Sequence, residues 1–152
     1  MATLHLNKAV ASAPAPAEEI TLAAWRDGVR PEAGRFALVI PNTEDVRGLG
    51  PALAAFGAVI LHFPEFKDGR AYSQARLLRE RMGFDGEIRA RGAVVPDQAL
   101  FMARAGFTAL EIGDRDPAPY LAALGAYSVF YQPAADAAIP VHALRARLRE
   151  AA

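Results

Sequence analysis

The residues best suited to chemistry lie in the run Phe63-Pro-Glu-Phe-Lys-Asp-Gly-Arg-Ala-Tyr-Ser-Gln-Ala-Arg-Leu-Leu-Arg-Glu-Arg, ending at Arg81. Asp68-Gly69 is a turn pair, and Ser73 can cap a helix that starts there. Arg70 then stands beside free backbone N–H groups at a helix start, a suitable place for an anion. A guanidinium grips carboxylates and phosphates through two parallel hydrogen bonds, so Arg70 and Arg91 are candidate anion clamps, with Asp68 as an acid–base group. Glu87, Arg89 and Arg91 alternate, so on a strand they share one face. Three charges there are costly unless paired or at a polar boundary. Either Glu87 pairs with a neighbouring arginine or this strand borders a polar cleft. Asp97 and Gln98 open the following helix, where capping and the helix dipole account for Asp97 and Gln98 is the less easily dismissed of the two. The candidate anion- or partner-binding set is therefore Asp68, Arg70, Ser73, Arg91 and Gln98. Arg76 and Glu80 are spaced as a surface ion pair, and Arg76, Arg79 and Arg81 read as a solvated face.

Other chemistries are poorly served. The chain has no cysteine, which removes disulfides, Fe–S ligation and thiol redox chemistry. His5, His62 and His142 are too scattered for ligand spacing, so no metal site is expected, and His62 reads as a core histidine. Gly48-x-Gly50 has Leu53 where a dinucleotide fingerprint needs its third Gly. Lys67 has no neighbour that marks a Schiff-base lysine, and Ser12, Ser73 and Ser128 lack a nucleophile elbow. No cofactor is expected on these grounds, although a flavin site needs no cysteine and stays open.

The elements that must position these residues follow a strand–helix rhythm. Phe36 to Ile40 is a continuous apolar run, as in a strand buried on both faces. Strands are also expected at Ile20 to Trp25, Ala58 to Phe63, Glu87 to Arg91 with an extension to Val95, Ala109 to Ile112, and Ser128 to Tyr131. Helices are expected at Asp45 to Phe56, Ala71 to Met82, Pro96 to Ala105, Pro117 to Leu124 and His142 to Ala151. Gly57, Gly83, Gly106 and Gly125 each follow a helical stretch, where a left-handed glycine stops a helix. Such alternation predicts an α/β fold: a mostly parallel sheet of βα units, either open and doubly wound or a half-barrel. A complete eight-unit barrel needs about 250 residues and does not fit.

The 152 residues suit one domain, with residues 1–19 as a flexible arm and 20–152 as the α/β body. Seventeen basic residues balance seventeen acidic ones, so the field of a nucleic-acid binder is missing. Fifteen of the basic residues are arginine, in keeping with an Ala- and Arg-rich coding bias. No apolar run approaches the ~20 residues of a membrane span, and Asn7 and Lys8 interrupt any signal-like core. A soluble, cytoplasmic protein is expected.

The segments FPEFKDGRAYSQARLLRERMGFDGEIRARG and DQALFMARAGF, and more weakly SVFYQ, resemble the hallmark block of a family of uncharacterised bacterial proteins. Its members are often encoded beside sulfite reductase and other sulfate-assimilation genes. Some carry an oxidoreductase label for sulfite reduction, taken from gene neighbourhood. The family pattern has Cys where this chain has Ala105 and Asp where it has Ala93, so any redox role of that thiol is closed here. The resemblance implies an accessory protein of assimilatory sulfite reduction, docking on the reductase or its electron donor. Phe63, Phe66 and Tyr72, interleaved with arginines, make the Phe63–Arg81 face the expected docking surface. The alternative is a small cytoplasmic enzyme acting on an anionic substrate at the strand-end cleft, and a third reading is a binder of a small anion.

Overall fold

The computed structural model describes residues 3–6, 18–30, 36–136 and 138–150. Among the described residues six strands build one sheet: β1 (Thr3–His5), β2 (Glu18–Thr21), β3 (Phe36–Ile40), β4 (Ala58–Phe63), β5 (Glu87–Gly92) and β6 (Ala109–Glu111). Five α-helices accompany them among those residues: α1 (Leu22–Arg26), α2 (Arg70–Arg76), α3 (Ala99–Ala105), α4 (Ala118–Leu124) and α5 (Val141–Glu150). The strand order is β1-β6-β5-β4-β3-β2. Strands β2 to β6 are parallel to their neighbours, and β1 runs antiparallel along β6, with His5 opposite Ala109.

This order separates the two expected architectures. A doubly wound sheet reverses its strand order and carries helices on both faces. Here β2 to β6 follow one another in chain order without a reversal. Right-handed crossovers between successive neighbours all leave the sheet on the same side. The side chains agree with that. Leu38, Ile40, Val59, Leu61, Phe63, Ile88, Ala90 and Leu110 pack with helix residues such as Ala75, Leu78, Met102 and Tyr120 into the main core. The opposite face carries a small apolar group, Ala37, Ala58 and Ile60 with Val39, and then Glu87, Arg89, Arg91 and Glu111. The fold is the half-barrel alternative.

Curvature follows from one contact. Neighbouring strands lie about 4.8 Å apart, and Glu19 is level with Glu87, four residues before Arg91, so the two residues Glu19 and Arg91 would stand roughly 20 Å apart in a flat sheet, beyond the reach of their side chains. Arg91 on β5 nevertheless donates to both carboxylate oxygens of Glu19 on β2, at 2.8 and 2.6 Å. The sheet curls around this face, which is therefore concave.

Several local expectations change. Part of the expected arm belongs to the sheet, since Thr3–His5 is β1 and β2 begins at Glu18; residues 7–17 lie outside the described residues. The 20–25 strand is short because Thr21 accepts a hydrogen bond from the Ala24 amide and starts α1. The 45–56 helix is a kinked 3-10 segment, Val46–Ala55, broken at Gly50-Pro51. Of the four stop glycines, Gly83 and Gly106 are left-handed, while Gly125 has φ −88° and Gly57 bonds to Phe36 at the start of β4. Strand β5 ends at Gly92, whose φ of 104° turns the chain before Ala93. Ser128 to Tyr131 does not join the sheet; only a bridge from Phe130 to Pro140 forms there.

Candidate functional site

The concave face holds a chain of ion pairs built from alternating strand positions. Glu111 accepts from Arg91 Nε at 2.6 Å and Nη2 at 2.8 Å, and lies 3.4 Å from Arg89 Nη1. Arg89 Nε donates to Glu87 at 2.8 Å, and Glu87 lies 3.5 Å from His5 Nδ1. Arg89 Nη2 is also 2.6 Å from Glu87 but lacks hydrogen-bond alignment, so the contact is purely ionic. Both sequence-level alternatives for this strand hold together: Glu87 pairs with Arg89, and Arg91 borders a cleft.

That cleft is about 540 Å³ and is lined by Glu19, Arg91, Gly92, Glu111, Gly113 and Arg115. It sits at the carboxyl ends of β5 and β6, where parallel α/β folds bind ligands. The hydrogen bond from Arg91 holds the Glu19 carboxyl below its ordinary value, and the same bonds to Glu19 and Glu111 raise the guanidinium further. Arg115 is spent on backbone, donating to the carbonyls of Ile112 at 2.7 Å and Val94 at 2.5 Å. His62 sits opposite Arg91 in the β4–β5 register, with Nε2 beside Gly92. It is half-buried on the concave face and lies outside the main core expected for it.

The other sequence candidates lie around the loop after β4. Arg70 embraces Asp68 through Nε at 2.9 Å and Nη2 at 2.6 Å. That contact drives the Asp68 carboxyl well below the usual carboxylate range. Helix α2 begins at Arg70 with Gly69 as its cap residue, so Ser73 is an exposed position inside the helix and does not cap it. Gln98 donates to the Phe66 carbonyl at 3.2 Å, tying this loop to the turn before α3. Nearby, buried Gln74 donates to the carbonyls of Pro41 and Glu44 at 2.9 and 2.8 Å. Asp68, Arg70 and Gln98 thus share one loop region, while Arg91 belongs to the concave cleft. Both candidate clamps already hold a carboxylate of the chain itself.

The expected docking face is divided: Phe66 is 56% exposed and Arg70 and Arg76 stand in solvent, whereas Phe63 and Tyr72 turn inward. Phe63 is 1% exposed, and Tyr72 stands edge-on to it at 5.3 Å and to Phe107 at 6.2 Å. Burial, with a smaller contribution from Asp97, pushes the Tyr72 phenol up to about 12. Arg79 is not a solvated side chain: it donates to the carbonyls of Gly106 and Phe84. Arg76 does pair with Glu80, at 3.0 Å. Ala105 is buried in the core.

Sequence reasoning missed Glu111, Glu19 and Arg115. The one available signal was Glu111 itself, an acid inside the otherwise apolar Ala109–Ile112 segment. Glu19, by contrast, resembled any polar residue of a loose arm.

Among the described residues no helix is long and apolar enough to cross a membrane, and no group of three His, Asp or Glu is placed to hold a metal. Searches among curated proteins and among solved structures found no match. Residues 37–142 match the family described as bacterial protein of unknown function (DUF934), a span that runs from within β3 through α4 and holds the resemblance block. The chain belongs to that family.

Proposed function

We propose that this chain is a cytoplasmic accessory protein of assimilatory sulfite reduction, docking on sulfite reductase or on its electron donor. The observation that carries the docking reading is the set Tyr127, Val129 and Tyr131, exposed at 63, 52 and 78%. All three stand within five residues of one another, on a segment that bends at Ser128 and Tyr131. The segment is held firmly. Arg104 donates to the Gln132 carbonyl at 2.7 Å and to Asp136 at 3.1 Å, and its guanidinium lies 3.8 Å from the Phe130 ring centre. Exposed aromatic residues gathered on a tethered segment are the composition of a protein interface.

The pathway assignment draws on the resemblance block, which lies within the family match. Reducing sulfite to sulfide moves six electrons, chemistry that a cofactor carries. A docking role leaves that chemistry to the partner, and the oxidoreductase label then describes the partner's reaction. Co-purification of the tagged chain from cells growing on sulfate tests the idea. The reductase or its donor is expected in the eluate, and Tyr127→Ser with Tyr131→Ser should lower its recovery at least tenfold without lowering the melting temperature. If neither protein is recovered and a deletion strain reduces sulfite normally, the second reading takes over. It is a small enzyme acting on an anionic substrate, and the cleft at the ends of β5 and β6 is what favours it.

A further inference from the structure

We infer that Arg91 is the recognition residue of an oxyanion site in the concave cleft, and that Glu19 occupies this site as a displaceable internal stand-in for the ligand. The inference does not depend on the docking reading.

The two carboxylates on Arg91 have different standing. Glu111 lies on β6, between β5 and β1, with a side chain 7% exposed, and it serves Arg89 as well as Arg91. It is the anchor that orients the guanidinium. Glu19 lies on the edge strand β2, its side chain is 43% exposed, and among the described residues Arg91 is its ion-pair partner. The Glu19 contact is a fork on a fork, Nη1 to Oε2 at 2.8 Å and Nη2 to Oε1 at 2.6 Å. Arginine receives carboxylate, sulfate and phosphate oxygens in this same arrangement. The Glu19 end of this pair is open to water, where ion pairs contribute little to folding, so exchanging one oxyanion for another there costs the fold little.

The surroundings suit such an exchange. The cleft of about 540 Å³ adjoins the Arg91–Glu19 pair, and Gly92 and Gly113 line it without side chains that would block the fork. Between Glu19 and Arg91 this face of β3 and β4 carries the apolar group Ala37, Ala58 and Ile60 with Val39, and half-buried His62 opposite Arg91. Apolar surroundings strengthen a charge-assisted hydrogen bond. Charge balance sets the gate. The carboxylates of Glu19, Glu87 and Glu111 offset the guanidiniums of Arg89, Arg91 and Arg115 in this region. Neutralising Glu19 leaves the cleft cationic with its anchored fork free. Arg91 and Glu111 fall within the family match at residues 37–142, whereas the stand-in comes from the segment before it.

The test is calorimetric titration of the full chain, wild type and Glu19→Gln, with sodium sulfite, sodium sulfate and sodium acetate at constant ionic strength. Glu19→Gln should bind at least one of the three at least tenfold more tightly than wild type. The preferred salt distinguishes an inorganic oxyanion from an organic carboxylate. Adding Arg91→Gln to Glu19→Gln should abolish that gain. If the double variant does not fold, the Arg91 Nε–Hε resonance of ¹⁵N-labelled Glu19→Gln takes its place and should shift on adding the anion. Equal affinity of wild type and Glu19→Gln for all three salts would overturn the inference. So would binding that survives Arg91→Gln, or an Arg91 resonance that does not move.

Discussion

Glu111 and Asp68 each hold an arginine by charge-assisted hydrogen bonds, yet their surroundings make them unequal in the fold. Glu111 is nearly fully buried and shared by Arg89 and Arg91, whereas the Asp68–Arg70 pair has its guanidinium more than half exposed. Removing one partner of a buried pair strands the other's charge away from water, at a cost of about 3–5 kcal/mol. Glu111→Ala leaves Arg89 with Glu87 and Arg91 with Glu19, so the urea midpoint should fall by an amount at the low end of that range, about 3 kcal/mol. Arg70→Ala should leave the melting temperature almost unchanged, because water replaces the lost partner. A large drop for Arg70→Ala would show instead that the 64–70 loop relies on that pair. The alternation of Glu87, Arg89 and Arg91 was legible in the sequence because strand periodicity puts alternate residues on one face. Their partners were not, since Glu111 stands 20 residues beyond Arg91 and Glu19 is 72 residues before it.

At the scale of elements, the end of β5 decides where the cleft opens. Gly92 has φ 104°, and a Cβ there would lie 2.2 Å from the Phe63 carbonyl oxygen at the end of β4. Backbone cannot retreat from that contact without breaking the β4–β5 ladder, which pairs Phe63 with Gly92. Gly92→Ala should cost at least about 1–3 kcal/mol, the usual range for a residue forced into a sparsely populated backbone region. Gly48→Ala is the control: its φ is not positive and its Cβ would meet nothing within 4 Å. Comparing the two urea midpoints checks the argument, and equal midpoints would refute it. The π-type turn Leu77–Arg81 that extends α2 belongs to the same scale. It carries Arg79, which reaches across to the Gly106 carbonyl and joins the end of α2 to the end of α3.

For the whole molecule, the one-sided arrangement gives each face its own task. The helix side supplies the main apolar core, and the concave side carries the ion pairs and the cleft. Helix α5 takes part in neither, for it has no buried residue and Leu148 is 71% exposed. A chain ending after Pro140 should therefore keep its melting temperature within a few degrees, since little apolar area leaves the core. Thermal melts followed by far-ultraviolet circular dichroism check this. A cooperative transition lost on truncation would mean that α5 is part of the folding unit.

The strand–helix rhythm was written in the sequence, because apolar period and helix-stop glycines act over neighbouring residues. Phe36 to Ile40, Ala58 to Phe63 and Ala109 to Ile112 were legible as strands for that reason, and so was a parallel α/β sheet. The choice between a doubly wound sheet and a half-barrel was not, since both use the same local units and differ only in which strand pairs with which. Nor was the 3-10 character of Val46–Ala55 read, although Gly50-Pro51 marked the break. The candidate site divided in the same way. Arg91 stood out through its spacing, but only the curl of the sheet brings Glu19 to it from three strands away. Which arginines are free, spent on backbone or held by a carboxylate depends on contacts between distant segments, and those exist only once the chain has folded.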